Sequence, residues 1–425
     1  MKPQTSFWLT LPNPKLINKL APELIAALAA ASVYCAMYAF RKPFTMLTFE
    51  HVNFLGVGYK IWLITAQLLG YALSKTIGIR VISEMKANSR MGILFSLIGV
   101  AWFSLFLFAI LPPPWTILCM FMNGIPLGLI WGIVFSYLEG RTTTDLLAAI
   151  LASSFIFSSG FVKSIGGLLL QSGSAPQWMP FMTGALFVLP LIIMMWVLNK
   201  INPPDETDLM QRSKRVPMNK LERKKYLKEW SRVLIPLIFI YIFFTILRDY
   251  RDSFTAEIFA EIKDAKLWWI TQSELYISMI ILAVLGGFIF LKNHFKALIW
   301  VHILMITGFI LVISCTWFFS QGRIPGILWF IIAGMGVFAG YIPFNCILVD
   351  RLIALINHPA NAGFIMYLLD SCAYAGTILI LFFKEWSGLE ISPLNFFMNL
   401  CYILGWSGIL LVTASLLIVF KKFSI

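Results

Sequence analysis

The sequence is short of charge and of the residues that build metal centres. Charged side chains make up 12% of its 425 residues, about half the roughly 25% usual in a soluble domain. A water-soluble fold is thereby excluded. Only four histidines are present, too scattered to assemble a metal cluster or a nucleophile with its base, so an enzyme is not expected. All six cysteines (Cys35, Cys119, Cys315, Cys346, Cys372, Cys401) fall inside apolar runs with no Cys-x-x-Cys pair. They read as small packing residues, and neither a metal nor a cofactor is expected. The alternating pattern of a membrane barrel is also missing, which leaves helices as the way to satisfy backbone groups in lipid.

What the chain does have is hydrocarbon. Apolar residues make up 59% of it, enough for about twelve spans at about 20 residues each. Apolar windows recur at 22–47, 55–77, 91–111, 115–138, 146–170, 178–199, 233–258, 267–291, 297–319, 326–349, 362–383 and 395–420. The first follows Lys2, Lys15 and Lys19 with no small-residue cleavage site after a short core, so it is expected to stay in the mature protein. The fold expected is all-α, a polytopic membrane protein with twelve transmembrane helices in two six-helix bundles. The first bundle would be residues 1–199, the second 233–425, and the linker 200–232.

That linker carries ten Lys or Arg against five acids. If it lies in the cytoplasm, the connections and tails on that side hold 22 basic residues and the outer ones only five, Lys60, Lys263, Lys266, Arg323 and Lys384. The asymmetry places both termini inside and makes the net charge of +13 a topology signal. No nucleic-acid partner is implied. A multi-pass protein of the inner membrane, monomeric and with the lipid bilayer as its main partner, is the expectation.

Six basic residues remain, and they lie within or at the ends of spans: Arg41, Lys42, Lys75, Lys163, Arg248 and Arg251. Each costs at least about 2.5 kcal/mol at the bilayer centre when unpaired. Asp249, Asp252, Glu274 and Asp370 are the acids in comparable places. So many ionisable groups imply a polar cavity. An offset of 207 carries Tyr34 to Tyr241, Arg41 to Arg248, Gln67 to Glu274 and Lys163 to Asp370, which sets matching Tyr and Arg ladders on spans 1 and 7. Tyr38 lies on the same span.

Two guanidiniums at one depth repel unless an anion comes between them, and each fork suits a phosphate or carboxylate. The residues expected to bind a small anionic substrate are therefore Arg41, Arg248, Tyr34, Tyr38, Gln67, Tyr241, Lys163, Glu274 and Asp370. Other readings stay open: Arg41-Lys42-Pro43 as a mere helix end, Arg248 paired with Asp249 or Asp252, Glu274 paired with Lys163 or titrating as a proton carrier, and Lys163 as a snorkelling side chain. Glu139 with Arg141 and Asp350 with Arg351 mark the cytoplasmic ends of spans 4 and 10 as candidate gating pairs. Glycines in spans 4 and 10, Gly124 and Gly128 among them, suggest close helix approach.

Twelve spans, a six-plus-six split and a long basic central loop resemble the major facilitator superfamily. Tyr38-Ala39-Phe40-Arg41-Lys42-Pro43-Phe44, and Leu247-Arg248 with Asp252, resemble the span 1 and span 7 motifs of the organophosphate:phosphate antiporters. Gly70-Tyr71-Ala72-Leu73-Ser74-Lys75 resembles the end of their span 2. This resemblance implies alternating access, Arg41 and Arg248 as phosphate ligands, and exchange of a phosphorylated metabolite for phosphate. The chain departs from the superfamily where Glu84 is followed by Met85 rather than Arg, and Ser153-Ser154-Phe155-Ile156-Phe157-Ser158 holds no histidine. Proton-coupled symport of a carboxylate and a transporter-like receptor that senses an anion are the alternatives.

Overall fold

The computed structural model describes residues 14–49, 52–84, 89–138, 141, 143–201, 220–263, 265–288, 291, 293–356, 362–388 and 391–423. Six long helices form the first half: α1 (Pro14–Ala39), α2 (Tyr59–Glu84), α3 (Arg90–Ile110), α4 (Trp115–Phe135), α5 (Thr144–Gln171) and α6 (Met179–Asn199). The second half follows with α7 (Lys220–Ser253), the short α8 (Thr255–Glu261), α9 (Trp268–Phe288), α10 (His294–Ser320), α11 (Gly326–Pro343), α12 (Val349–Ile356), α13 (Ala362–Trp386) and α14 (Pro393–Phe423). A π-turn, Phe344–Leu348, joins α11 to α12 into one long span.

Among the described residues, eleven helices are long and apolar enough to cross a membrane. The twelfth span is α2, whose Lys60, Gln67 and Lys75 face the interior and dilute its apolar run. Leu189, Met279, Ile403 and Leu410 are among the large apolar side chains left exposed on the bundle, as a lipid-facing surface requires. Trp115, Trp178, Trp268 and Trp386 sit near helix ends, where an amphipathic ring matches the membrane interface.

Within the first half α1 packs on α5 and α6, and α2 on α4; within the second α7 packs on α13 and α14, and α10 on α11. The halves meet along α5 with α9 and along α2 with α13. The α2–α4 contact is as close as backbones allow. A Cβ on Gly124 would lie 2.2 Å from the Gln67 carbonyl oxygen, and one on Gly70 2.2 Å from that of Phe121.

One expectation needs correction. Apolar residues continue to 47, yet α1 ends at Ala39, and the chain turns through Arg41-Lys42 into a 3-10 turn at Pro43–Met46. Pro43 has no N–H to give the Ala39 carbonyl four residues back, and its ring crowds that carbonyl. Buried amides take the carbonyls left bare at this end: Asn123 Nδ2 donates to Phe40 O at 3.1 Å and Gln67 Nε2 to Arg41 O at 3.1 Å. The α1–α2 connection also holds a small antiparallel hairpin, Asn53–Phe54 with Val57–Gly58. Its two-residue turn puts Leu55 and Gly56 at positive φ, +52° and +73°, the geometry of a type I′ turn.

Candidate functional site

The turn after α1 carries the first cation of a polar, tyrosine-lined cluster between the halves, hereafter the chamber. Arg41 is 9% exposed. Its guanidinium lies over the Tyr71 ring at 4.3 Å and the Tyr38 ring at 5.7 Å. It has no carboxylate partner among the described residues, and its buried Nε has no hydrogen-bond partner. Stacking on a desolvated tyrosine recovers about 2 kcal/mol, short of what a buried charge loses on leaving water.

Opposite, Arg248 projects from α7. Its Nε and one terminal nitrogen donate to Asp249 Oδ1 at 2.9 and 2.7 Å, and its plane covers Tyr341 at 4.2 Å. Thr377 of α13 donates to the second Asp249 oxygen at 3.1 Å. Both guanidiniums fall within electrostatic reach of Tyr38 and Tyr374.

A third cation, Lys75 of α2, pairs with Asp370 of α13 and lies over Tyr71 and Tyr374 at 5.3 and 5.4 Å. Tyr241 donates to Asp370 Oδ1 at 2.7 Å. Asn345, held in the chamber by the π-turn, donates to the hydroxyls of Tyr241 and Tyr341 at 3.0 and 3.4 Å. Tyr34 closes the wall edge-on against Tyr38 and Trp131.

Next to the chamber, toward the end where α1 finishes, Asp252 of α7 holds Lys42 and Lys163 together and accepts from Ser159 at 2.5 Å. Arg251 Nη1 donates to Glu274 Oε1 at 2.7 Å. Lys60 meets Glu257 at 2.5 Å, and the hairpin's Gly58 N–H donates to Glu385 at 2.9 Å. Lys42, Lys60, Lys75 and Lys163 come from the first half and their carboxylates from the second, so these pairs bridge the halves. Taken with Arg41, the ion-paired residues are seven cations (Arg41, Lys42, Lys60, Lys75, Lys163, Arg248, Arg251) and five carboxylates (Asp249, Asp252, Glu257, Glu274, Asp370). Two positive charges are left over.

The sequence matches the model of a family of unknown function, DUF5690, over residues 43–422. The chain belongs to this family. No curated protein matches the sequence. Among solved structures it is similar to the xylose transporter XylE from E. coli in a partially occluded inward-open conformation, with a TM-score of 0.62 and 13% identity over 92% of this chain and 96% of that one. A D-xylose-proton symporter gives a TM-score of 0.62 and 13% identity over 93% and 97%. An inward-open form of XylE gives 0.61 and 14% over 95% and 96%. The fold shared by this family member is the twelve-helix major facilitator fold.

In this DUF5690 chain Arg41, Tyr34, Tyr38, Tyr241, Arg248 and Asp370 lie close together between the halves. Lys163 and Glu274 stand one layer away and do not pair with each other; Asp252 and Arg251 are their partners. Gln67 hydrogen-bonds within the first half. Its Nε2 is committed to Arg41 O and, at 2.8 Å, to Asn123 Oδ1, so it shapes the turn that bears Arg41. The expectation of two equivalent bare forks is also corrected, because Asp249 already compensates Arg248.

Of the candidate gating residues, Glu139 lies outside the described residues. The Arg141 backbone N–H donates to Thr144 at 2.9 Å. Arg351 meets His294 of its own half at 3.1 Å, and Asp350 lies in the first turn of α12. Sequence reasoning counted Lys42, Lys75, Arg251, Asp249 and Asp252 among the intramembrane charges but gave them no place in the site. Tyr71 entered only as part of the span 2 motif, and Tyr341, Tyr374 and Asn345 carried no signal, since neutral polar residues in apolar runs have no diagnostic spacing.

Proposed function

We propose that the protein is a secondary transporter of a small organic anion, a phosphorylated metabolite exchanged for phosphate, working by alternating access of its two halves. One observation carries the reading: Arg41 is a buried guanidinium without a carboxylate among the described residues, in a chamber where Arg41, Lys75 and Arg248 outnumber Asp249 and Asp370 by one, with a second surplus positive charge in the adjoining cluster of Lys42, Asp252 and Lys163. A dianion such as a phosphate monoester would neutralise that surplus and fill the planar donors of Arg41. Arg248 would lend the second fork once the ligand competes with Asp249. The tyrosine hydroxyls and Asn345 would orient the neutral part of the ligand.

The ion pairs that bridge the halves supply the moving parts. An anion that draws Lys75 from Asp370 changes the balance between the two positions of the halves, and differential affinity of this kind is what lets a ligand drive a conformational change. The excess of Lys and Arg on one side supports both termini in the cytoplasm of an inner-membrane protein. The chemistry of the chamber needs no metal and no bond-breaking step.

Proteoliposomes loaded with inorganic phosphate test the reading. Labelled phosphate outside should exchange for unlabelled phosphate inside, and Arg41→Gln should abolish the exchange. Binding of phosphate without flux would favour a receptor instead, and no binding at all would overturn the choice of cargo.

A further inference from the structure

The carboxylates between the halves differ in how many donors they hold. Asp249 accepts twice from Arg248 and once from Thr377. Asp252 holds two lysines and a serine, and Asp370 a lysine and a tyrosine. Glu257 and Glu274 each have one cation and a buried Oε2 with no partner. Glu257 lies on the short α8 at the bundle end with 15% of its side chain exposed, whereas only 6% of Glu274 is.

Glu274 also sits where the halves touch. A Cβ on Gly160 of α5 would lie 2.6 Å from Glu274 Cγ, so the carboxylate is packed against the opposite half. Its partner Arg251 is equally underused, with a buried Nε left without an acceptor. The charged groups facing Glu274 are Arg251 and Asp252 from α7 and Lys163 from α5. From α11 come the Phe330 carbonyl and Gly334, both against Arg251 and neither titratable. The thiol of Cys401 on α14 is within reach of Arg251.

Building on the anion-transport reading above, we infer that Glu274 is the residue that couples the anion to a proton. The proton adds to the bare Oε2 when the chamber fills and leaves to water when it empties, with no other bond made or broken. Protonation leaves Arg251 uncompensated and raises the positive charge that faces the anion. Anion and proton therefore favour each other's binding, and linkage makes that preference mutual. In exchange of one anion for another Glu274 crosses protonated in both directions, so no net proton moves; net movement of anion requires the proton to travel too.

Inorganic phosphate in proteoliposomes is the probe, read in two ways: exchange at equal pH, and accumulation driven by an inward proton gradient. The wild type should do both, the gradient raising accumulation about tenfold. Glu274→Gln should keep exchange within about threefold of wild type and lose the gradient response. Phosphate's own titration is common to both proteins and cancels in the comparison. Wild-type exchange indifferent to the gradient would overturn the coupling and leave the anion reading standing; no wild-type exchange would overturn both. If Glu274→Gln loses exchange as well, Glu274→Asp, which keeps a titratable carboxyl, should restore the gradient response, and its failure to do so would also overturn the inference.

Discussion

Arg41 and Arg248 are matched by one sequence offset, yet only Arg248 has an anion beside it. Lysine keeps the charge and loses the planar fork. Arg41→Lys is therefore expected to weaken phosphate binding at least about tenfold, about 1.4 kcal/mol. Arg248→Lys should do so by a smaller factor, because Asp249 continues to hold the new cation. Competition of phosphate against a labelled phosphate ester ranks the two, and equal losses would mean that the arginines act as a symmetric clamp. Asp252 carries a different load. Asp252→Asn leaves Lys42 and Lys163 buried together without their anion, and breaking a buried pair in this way costs about 3–5 kcal/mol. The denaturation midpoint in detergent should fall accordingly. The intramembrane charges were legible one by one, since each is expensive in lipid, but their partners were not. Glu274 has Arg251 three residues beyond Arg248, and nothing in linear spacing distinguishes that partner from Lys163.

At the scale of elements, the helices were legible because apolar runs of span length have few other folds open to them in a bilayer. The end of α1 was not. Hydropathy carries the first window to 47, whereas Pro43 and the carbonyl partners Gln67 and Asn123 stop the helix at Ala39. Those amides belong to α2 and α4, and only tertiary packing brings them there. The contact of α5 with α9 gives the most specific test of the interface between halves. Gly160→Val should lose transport, because the new side chain meets Glu274 and the Ile270 carbonyl oxygen, 2.7 Å from its Cβ. Gly286→Ala on the same helix α9, where a Cβ meets nothing within 4 Å, should transport normally. Flux assays on the pair separate crowding at the interface from a general intolerance of helical substitution.

For the whole molecule, the six-plus-six division follows from the single long polar segment and the side preference of basic residues, both plain in the sequence. What joins the halves was hidden, because it rests on pairs such as Lys75 with Asp370 that are 295 residues apart. The proposed alternating access requires the hairpin end to open. A short bifunctional thiol crosslinker between Gly58→Cys and Glu385→Cys, on a cysteine-free background, should stop phosphate exchange, and cleaving the linker should restore it. Exchange that survives the crosslink would place the moving contact elsewhere.

The proposal of an anionic cargo rests on the charge of the chamber, because the shared fold does not name a substrate. Titration of the purified protein with glycerol phosphate, inorganic phosphate, glycerol and D-xylose tests that proposal most directly, run on wild type and Arg41→Gln. Saturable binding of the two anions alone, lost in Arg41→Gln, is the expected result. Binding of D-xylose or glycerol with an affinity unaffected by Arg41→Gln would contradict the proposal that an unpaired buried guanidinium selects a doubly charged cargo.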